Sequence, residues 1–201
     1  MKISNCQQGS SEWLTSRLGI PSASQFSRIV TGKGGKSTQV EAYINQLVAE
    51  ELTGETTFVY VNEHMKRGTE LEPDARELYE ALTGNTVQEV GFCLHDTVNA
   101  GCSPDGLVGG DYEGGLEIKC PAPATHVEWV KAGVLPSKHL QQIMGCLWIT
   151  GRQWWDFMSY HPTMKPLIVR VERDEEYIAA LAEHVTNAAL RIKQDVNQYF
   201  Q

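Results

Sequence analysis

The sequence is short of positive charge. Its 17 Lys and Arg stand against 25 Asp and Glu, for a formal net charge of −8 and a pI near 5.2. That balance excludes the even basic coat that phosphate backbones usually attract. It does not exclude a local basic cluster, because a metal site gathers carboxylates and inflates the acidic count. Paired cysteines are also lacking. The five Cys (Cys6, Cys93, Cys102, Cys120 and Cys146) are odd in number with no C-x-x-C among them. A disulfide framework and a zinc ribbon are therefore not expected, and buried reduced thiols of a cytosolic protein are. The six His show no metal-ligand spacing. No apolar run reaches bilayer length. The opening MKISNCQQGSSEW carries no apolar stretch of the signal-peptide kind, so no leader is expected. Internal repeats and Pro/Ser-rich linkers are absent as well.

What is present is a chain of 201 residues, 41% hydrophobic, long enough to bury a core. Residues 1–201 read as a single α/β domain in which helices flank a central sheet. Segment 10–18 predicts a short helix capped by Ser10 or Ser11, with Gly19 as its stop. Ser22 and Gln25 have capping-box spacing, as do Thr38 and Glu41, so helices are expected from each. The second continues through Val40, Tyr43, Ile44, Leu47, Val48 and Leu52 to Gly54. Residues 55–67 read as irregular or hairpin-like. Segment 69–83 is helical in pattern, and 86–94 reads as a strand. SPDG is a turn between two strands, and GLEIKC (115–120) alternates like a strand. A helix is expected over 124–132, another from a Ser137 cap to about Trp148, strands over 153–160 and 166–173, and a long amphipathic helix from Asp174 to about Tyr199.

The chemistry is carried by Asp105 in SPDG and by Glu117 and Lys119 in E-I-K. Alternate residues of a strand share a face, so Glu117 and Lys119 point the same way and Ile118 the other. If the SPDG turn lies beside that strand, Asp105 approaches Glu117, and two carboxylates at one place call for a cation between them. Oxygen donors suit Mg2+ or Mn2+. By spacing alone, Glu117 and Lys119 read first as an incidental ion pair on an exposed strand face. GKGGKS (32–37) looks like the end of a phosphate-binding P-loop, but the required first glycine falls at Val30 and a helix pattern precedes it. Its lysines, Lys33 and Lys36, together with Arg28, are better candidates for contacts to a nucleic-acid backbone.

The flanking motifs narrow this reading. AGCSPDG followed by GGLEIKCP resembles the lambda-exonuclease and YqaJ-type viral recombinase family, within the PD-(D/E)XK, restriction-endonuclease-like nuclease superfamily. EWLTSRLGIPSASQFSRIV, RGTELEPDARELYEALTG, HLQQIMGCLWITGRQWWDFMSYHPTM and VERDEEY resemble further family segments in the same order, from about Gln8 to Arg191; Pro73 departs from the family pattern. The resemblance implies a restriction-endonuclease-like central mixed sheet flanked by helices. It implies that Asp105, Glu117 and the Ile118 carbonyl hold Mg2+ (Mn2+ as a substitute), two ions in all, with Lys119 as the catalytic lysine. Glu72 would orient water near the second ion, and Gln142 would complete the pocket. Arg17 and Ser24 would hold a 5′-phosphate, and Met65, in the 57–67 segment, would wedge between base pairs. Each has a plainer rival: a helix cap for Ser24, a solvated charge for Arg17, a capping box with Thr69 for Glu72, a polar helix face for Gln142, loop packing for Met65.

The implied activity is a 5′→3′ exonuclease on linear double-stranded DNA that leaves a 3′ strand for a single-strand annealing protein. The implied assembly is a ring-shaped homotrimer, whose enclosure of DNA would offset the acidic charge. The implied setting is phage-type DNA recombination, with a phage or prophage protein in the cytoplasm of a bacterial host. A site- or structure-specific endonuclease, and a catalytically idle DNA-binding module of the same fold, remain as alternatives.

Overall fold

The computed structural model describes residues 1–57, 63–110 and 113–199, with backbone only for 63–65. Two sheets are formed. A small antiparallel one takes β1 (Lys2–Ser4), β3 (Phe92–Leu94) and β4 (Gly101–Cys102) in the order β1-β3-β4. The larger takes β2 (Val87–Gln88), β5 (Gly106–Val108), β6 (Gly114–Lys119), β7 (Trp154–Ser159) and β8 (Leu167–Glu172) in the order β2-β5-β6-β7-β8. Only β6 and β7 run parallel; β2, β5 and β8 pair antiparallel, so the sheet is mixed. A parallel pair needs a long crossover. Here it is made by α4 (Pro123–Ala132), a 3-10 turn (Ser137–His139) and α5 (Leu140–Thr150).

The other helices are α1 (Ser11–Ser16), a 3-10 helix at Ala23–Arg28, α2 (Val40–Thr53), α3 (Glu63–Thr83) and α6 (Glu175–Tyr199). None of the described helices is long and apolar enough to cross a membrane. Strand alternation divides the apolar side chains between two cores. Leu107, Trp155 and Phe157 face α5, α2 and α6 with Leu47, Ile143, Leu147, Leu181 and Val185. Val108, Leu116, Ile118 and Met158 face α3 with Ala75 and Tyr79. Ile118 is thus spent on packing, as alternation requires, and its neighbours Glu117 and Lys119 are left for the opposite face.

Several expected boundaries shift for identifiable reasons. Ser10 caps α1, accepting from Trp13 N at 3.2 Å. Ser22 precedes a 3-10 helix without capping it, because its hydroxyl is engaged by Arg17 and Ser24. Thr38 caps nothing: α2 starts after Gln39, and Glu41 pairs with Lys36 and Arg191. The α3 helix begins at Glu63, so residues 63–67 are helical, Thr69 is no cap, and Pro73 lies inside the helix. Ser137 opens a 3-10 turn and caps no α-helix. The expected strand 86–94 is two strands in different sheets, and β1 had no strand pattern in so short a segment. The GKGGKS loop follows a 3-10 helix, in keeping with its rejection as a P-loop.

The close approach of β6 to β7 depends on glycine. Gly115 is the register partner of Trp155, and a Cβ there would lie 2.4 Å from the indole carbons. Gly115→Ala should therefore destabilise the fold by about 1–3 kcal/mol, the usual cost of overpacking. The urea midpoint measures it, and an unchanged midpoint would contradict this packing.

Candidate active site

The site lies at the C-terminal end of β6, where the sheet meets the SPDG turn, α3 and α5. Asp105 stands just before β5, and its Oδ2 accepts the Ile118 N–H at 2.6 Å. Glu117 is 1% exposed at its side chain, and its Oε1 accepts from the Lys119 ammonium and from Gln142 Nε2 at 2.6 Å. Its second oxygen, Oε2, is buried and has no hydrogen-bond partner among the described residues. A buried carboxylate oxygen left bare is costly. Glu72 on α3 is close enough to Asp105 to feel its charge.

The electrostatics follow from this crowding. Burial pushes the Glu117 carboxyl up to about 7, Lys119 pulls it back, and Asp105 adds to the rise. Burial and the Asp105 charge raise Glu72 to about 7 as well. Burial lifts Asp105, against Lys119, the Ile118 N–H and Arg76. Burial works against the Lys119 ammonium, but Glu117, Asp105 and Glu72 together hold its pKa above the ordinary lysine value. Lys119 is therefore a fixed positive charge here. Among the described residues no group of three or more His, Cys, Asp or Glu side chains stands close enough to hold a metal ion as it is; the neighbouring carboxylates, with one Glu117 oxygen unsatisfied, are where a divalent ion would relieve mutual repulsion. The donors are all oxygen, which suits Mg2+ or Mn2+.

Arg76 was not singled out in the sequence, yet it organises the carboxylates. It donates to Glu72 at 2.6 Å, to Glu89 at 3.0 Å and through Nε to the Asp105 carbonyl at 3.3 Å. The signal was available: an acid and an arginine four residues apart on one helix face, inside a motif already noted. Gln142 lies on the first turn of α5 and donates to Glu117.

A second polar cluster sits where α1 gives way to the 3-10 helix. Arg17 donates to Ser22 Oγ at 3.0 Å, and Ser22 Oγ lies 3.3 Å from Ser24 Oγ. Arg17 also stacks on Trp13, 4.2 Å from the ring centroid. Burial draws its pKa below the usual arginine value, opposed by Tyr43 and Glu50. Arg17 and Ser24 are thus brought together, with Ser22 as the bridge that the sequence reading took for a cap. Ser22 and Gly101 form a parallel bridge, and Gly101 N donates to Pro21 O at 2.9 Å, so this cluster is tied to the strand that leads into SPDG.

Of the expected backbone contacts, Lys33 is exposed on its loop, and Lys36 reaches Glu41 at 3.2 Å. Arg28 turns inward, donating to Gln46 at 2.8 Å and lying 4.4 Å over the Tyr43 ring. The loop base joins α5 beside the site through Gln141 and Val30. The Met65 side chain lies outside the described residues, as do residues 58–62 of its segment.

Two outcomes follow. Carboxyls whose pKa is raised by folding cost stability as pH climbs from their unfolded value near 4.5 through about 7. A divalent ion removes that cost and must displace protons below about pH 7. Mg2+ should therefore raise the Tm more at pH 8.5 than at pH 6, and Glu117→Gln should remove the effect; equal shifts at both pH values would contradict it. Arg76→Ala should weaken Mn2+ binding by calorimetry about 10–100-fold, as loss of ligand-orienting partners does. Unchanged affinity would show that Arg76 does not set the site.

Residues 12–153 match the YqaJ-like viral recombinase domain. Among solved structures, the chain is 36% identical to LHK-Exo, an alkaline exonuclease from Laribacter hongkongensis, covering 94% of this chain and 96% of that one with a TM-score of 0.84. LHK-Exo in complex with dAMP superposes with a TM-score of 0.85 at the same identity and coverage. A phage-related exonuclease from Haemophilus somnus 129PT shares the fold at a TM-score of 0.67, with 15% identity over 90% of this chain and 96% of its own. No curated protein matches the sequence. With a family domain spanning most of its length and a relative of this similarity over nearly all of both chains, the chain belongs to the YqaJ-like viral recombinase family.

Proposed function

We propose that this protein is a divalent-metal-dependent deoxyribonuclease that degrades the 5′-ended strand of linear double-stranded DNA and leaves a 3′ single strand for annealing. The observation that carries the proposal is the buried Glu117 carboxylate with one bare oxygen, set between Asp105 and Lys119. Its similarity to an alkaline exonuclease, and to that enzyme's complex with a deoxynucleoside monophosphate, supports the reading, since dAMP is the kind of unit an exonuclease releases.

Asp105, Glu117 and the Ile118 carbonyl would hold Mg2+ or Mn2+, with Glu72 serving a second ion through water. Such ions neutralise phosphate charge and make water a stronger nucleophile near neutral pH. The chain's own residues do the rest. Gln142 holds Glu117 Oε1, so that Oε2 stays turned to the ion site. Lys119, protonated throughout, faces the scissile phosphate and steadies its added charge. Arg76 keeps Glu72 and the Asp105 turn in register. Arg17, Ser22 and Ser24 form a separate anion pocket that reads the 5′-phosphate, with a partly buried guanidinium as its charge. Lys33 and Lys36 then contact the DNA backbone, and Arg28 supports the pocket through Tyr43 instead of reaching DNA directly. Met65 is the proposed wedge between base pairs. A homotrimeric ring around DNA, a single-strand annealing protein as partner and the cytoplasm of a phage-bearing bacterium complete the reading.

The test compares linear DNA bearing a 5′-phosphate or a 5′-hydroxyl with a covalently closed circle, with and without Mg2+. Only the linear substrates should be degraded, only with metal, and the phosphorylated ends faster. Equal digestion of the circle would favour an endonuclease, and no digestion of any substrate an idle binding module. Arg17→Ala should slow phosphorylated ends by about ten- to a hundredfold, matching the roughly 1.5–3 kcal/mol of a charge-assisted hydrogen bond, and should leave hydroxyl ends nearly unaffected. Equal slowing of both would remove Arg17 from end recognition.

A further inference from the structure

Three thiols that the proposed chemistry does not use are gathered directly behind the carboxylates. Cys93 on β3 and Cys102 on β4 are register partners, and each is at most 1% exposed. Directly opposite residues of an antiparallel pair point to the same face. Cys146, on α5 and also 1% exposed, packs in the same core as both. Opposite Cβ atoms lie about 4.5–5.5 Å apart, whereas a disulfide needs about 3.8 Å. Closure of Cys93 onto Cys102 therefore asks for a shift of roughly 1 Å, within reach of two short strands that few ladder bonds hold.

The consequence lies in what β4 is attached to. Three residues after Cys102 comes Asp105, and Gly101 is bridged to Ser22 of the Arg17 pocket. One turn before Cys146 on α5 is Gln142, which holds Glu117. We propose that Cys93 and Cys102 form an oxidation-sensitive pair, a thiol-modification site for a small hydroperoxide, whose closure to a disulfide displaces Asp105 and turns the site off. The switching half of this proposal rests on the nuclease reading of Asp105 and Glu117; the disulfide half does not.

The chemistry balances in two steps. The Cys93 sulfur attacks one oxygen of the peroxide, breaking the O–O bond, giving a sulfenic acid and releasing water (an alcohol from an organic peroxide). The Cys102 sulfur then attacks that sulfenic sulfur, forming the S–S bond and expelling a second water. The two thiols lose two hydrogens and two electrons, and the peroxide takes up both electrons. The order is set by the surroundings: hydrogen bonding from Cys102 and the charge of Arg152 lower the Cys93 thiol against the cost of burial, whereas burial raises Cys102 well above the ordinary value.

The experiment treats the full-length protein with hydrogen peroxide in a Cys120→Ser background, which removes the half-exposed thiol beside the site. Peptide mapping after alkylation under denaturing conditions should find a Cys93–Cys102 linkage and two fewer free thiols. Cutting of linear DNA with Mg2+ should fall at least tenfold in step with that linkage and return with a dithiol reductant. Cys93→Ala and Cys102→Ala should each keep basal cutting and resist peroxide. The map reads the linkage whether or not the protein cuts DNA, so failure of the nuclease reading leaves a mapped disulfide intact. Absence of the linkage, or higher oxides on Cys93 without it, would overturn the modification site. A mapped linkage with undiminished cutting, or the same peroxide loss in both alanine variants, would overturn the switch.

Discussion

The structure turns on an arrangement that is unfavourable without a partner: carboxyls brought together at the end of a buried strand, with one Glu117 oxygen bonded to nothing among the described residues. Asp105 and Glu117 come from elements that have no local reason to meet. The β5–β6 pairing brings the SPDG turn onto β6, and the Ile118 N–H fixes Asp105 there. Everything nearby moderates the repulsion. Lys119 supplies a positive charge, Gln142 a donor, and Arg76 a fork that restrains Glu72 and the turn together. Burial first, and the Asp105 charge after it, keep the Glu117 and Glu72 carboxyls raised. A fold that keeps such a site retains strain that a bound cation would relieve, as functional sites commonly do.

The remainder of the fold serves to hold this end of the sheet in place. Residues of β6 alternate between the α3-facing core and the site, and the parallel β6–β7 pair is packed on glycine so that two tryptophans fit beside it. Buried Asp156 ties β7 to α3 through Tyr79 at 2.7 Å and to β8 through Arg170 at 2.9 Å. That places the Glu72 helix against the strand next to Glu117. The Arg17 cluster hangs from β4 and α1, apart from the carboxylates but connected to them by the two residues between Cys102 and Asp105. Separate anchoring of the Arg17 cluster and the carboxylate cluster is what the proposed end-dependent activity would use.

Much of this was legible in the sequence, and the exceptions share a cause. Amphipathic periodicity located α2, α6 and the body of α3, and alternation located β6 with the correct faces for Glu117 and Lys119. Gln142 was reached through motif order, not through any property of its own position. Capping boxes failed at Ser22 because its hydroxyl is engaged by Arg17 and Ser24, at Thr38 because α2 starts after Gln39 with Glu41 paired to Lys36 and Arg191, and at Thr69 because the helix starts earlier. Local spacing cannot register such claims. The same blindness hid Arg76, whose meaning lies in contacts with Asp105 and Glu89, distant in sequence, and the bridging role of Ser22, which depends on how the turn after α1 folds Arg17 back onto it. It also left Cys93, Cys102 and Cys146 as three separate buried thiols, since only strand register and the packing of α5 bring them together.

The central claim is that Asp105 and Glu117 share a divalent cation. Crystals soaked in Mn2+ and measured for anomalous scattering test it without reference to activity. The account predicts a strong peak bounded by Asp105, the Glu117 Oε2 atom and the Ile118 carbonyl, absent from Glu117→Gln crystals. A peak elsewhere on the protein, or an undiminished one in the variant, would contradict it.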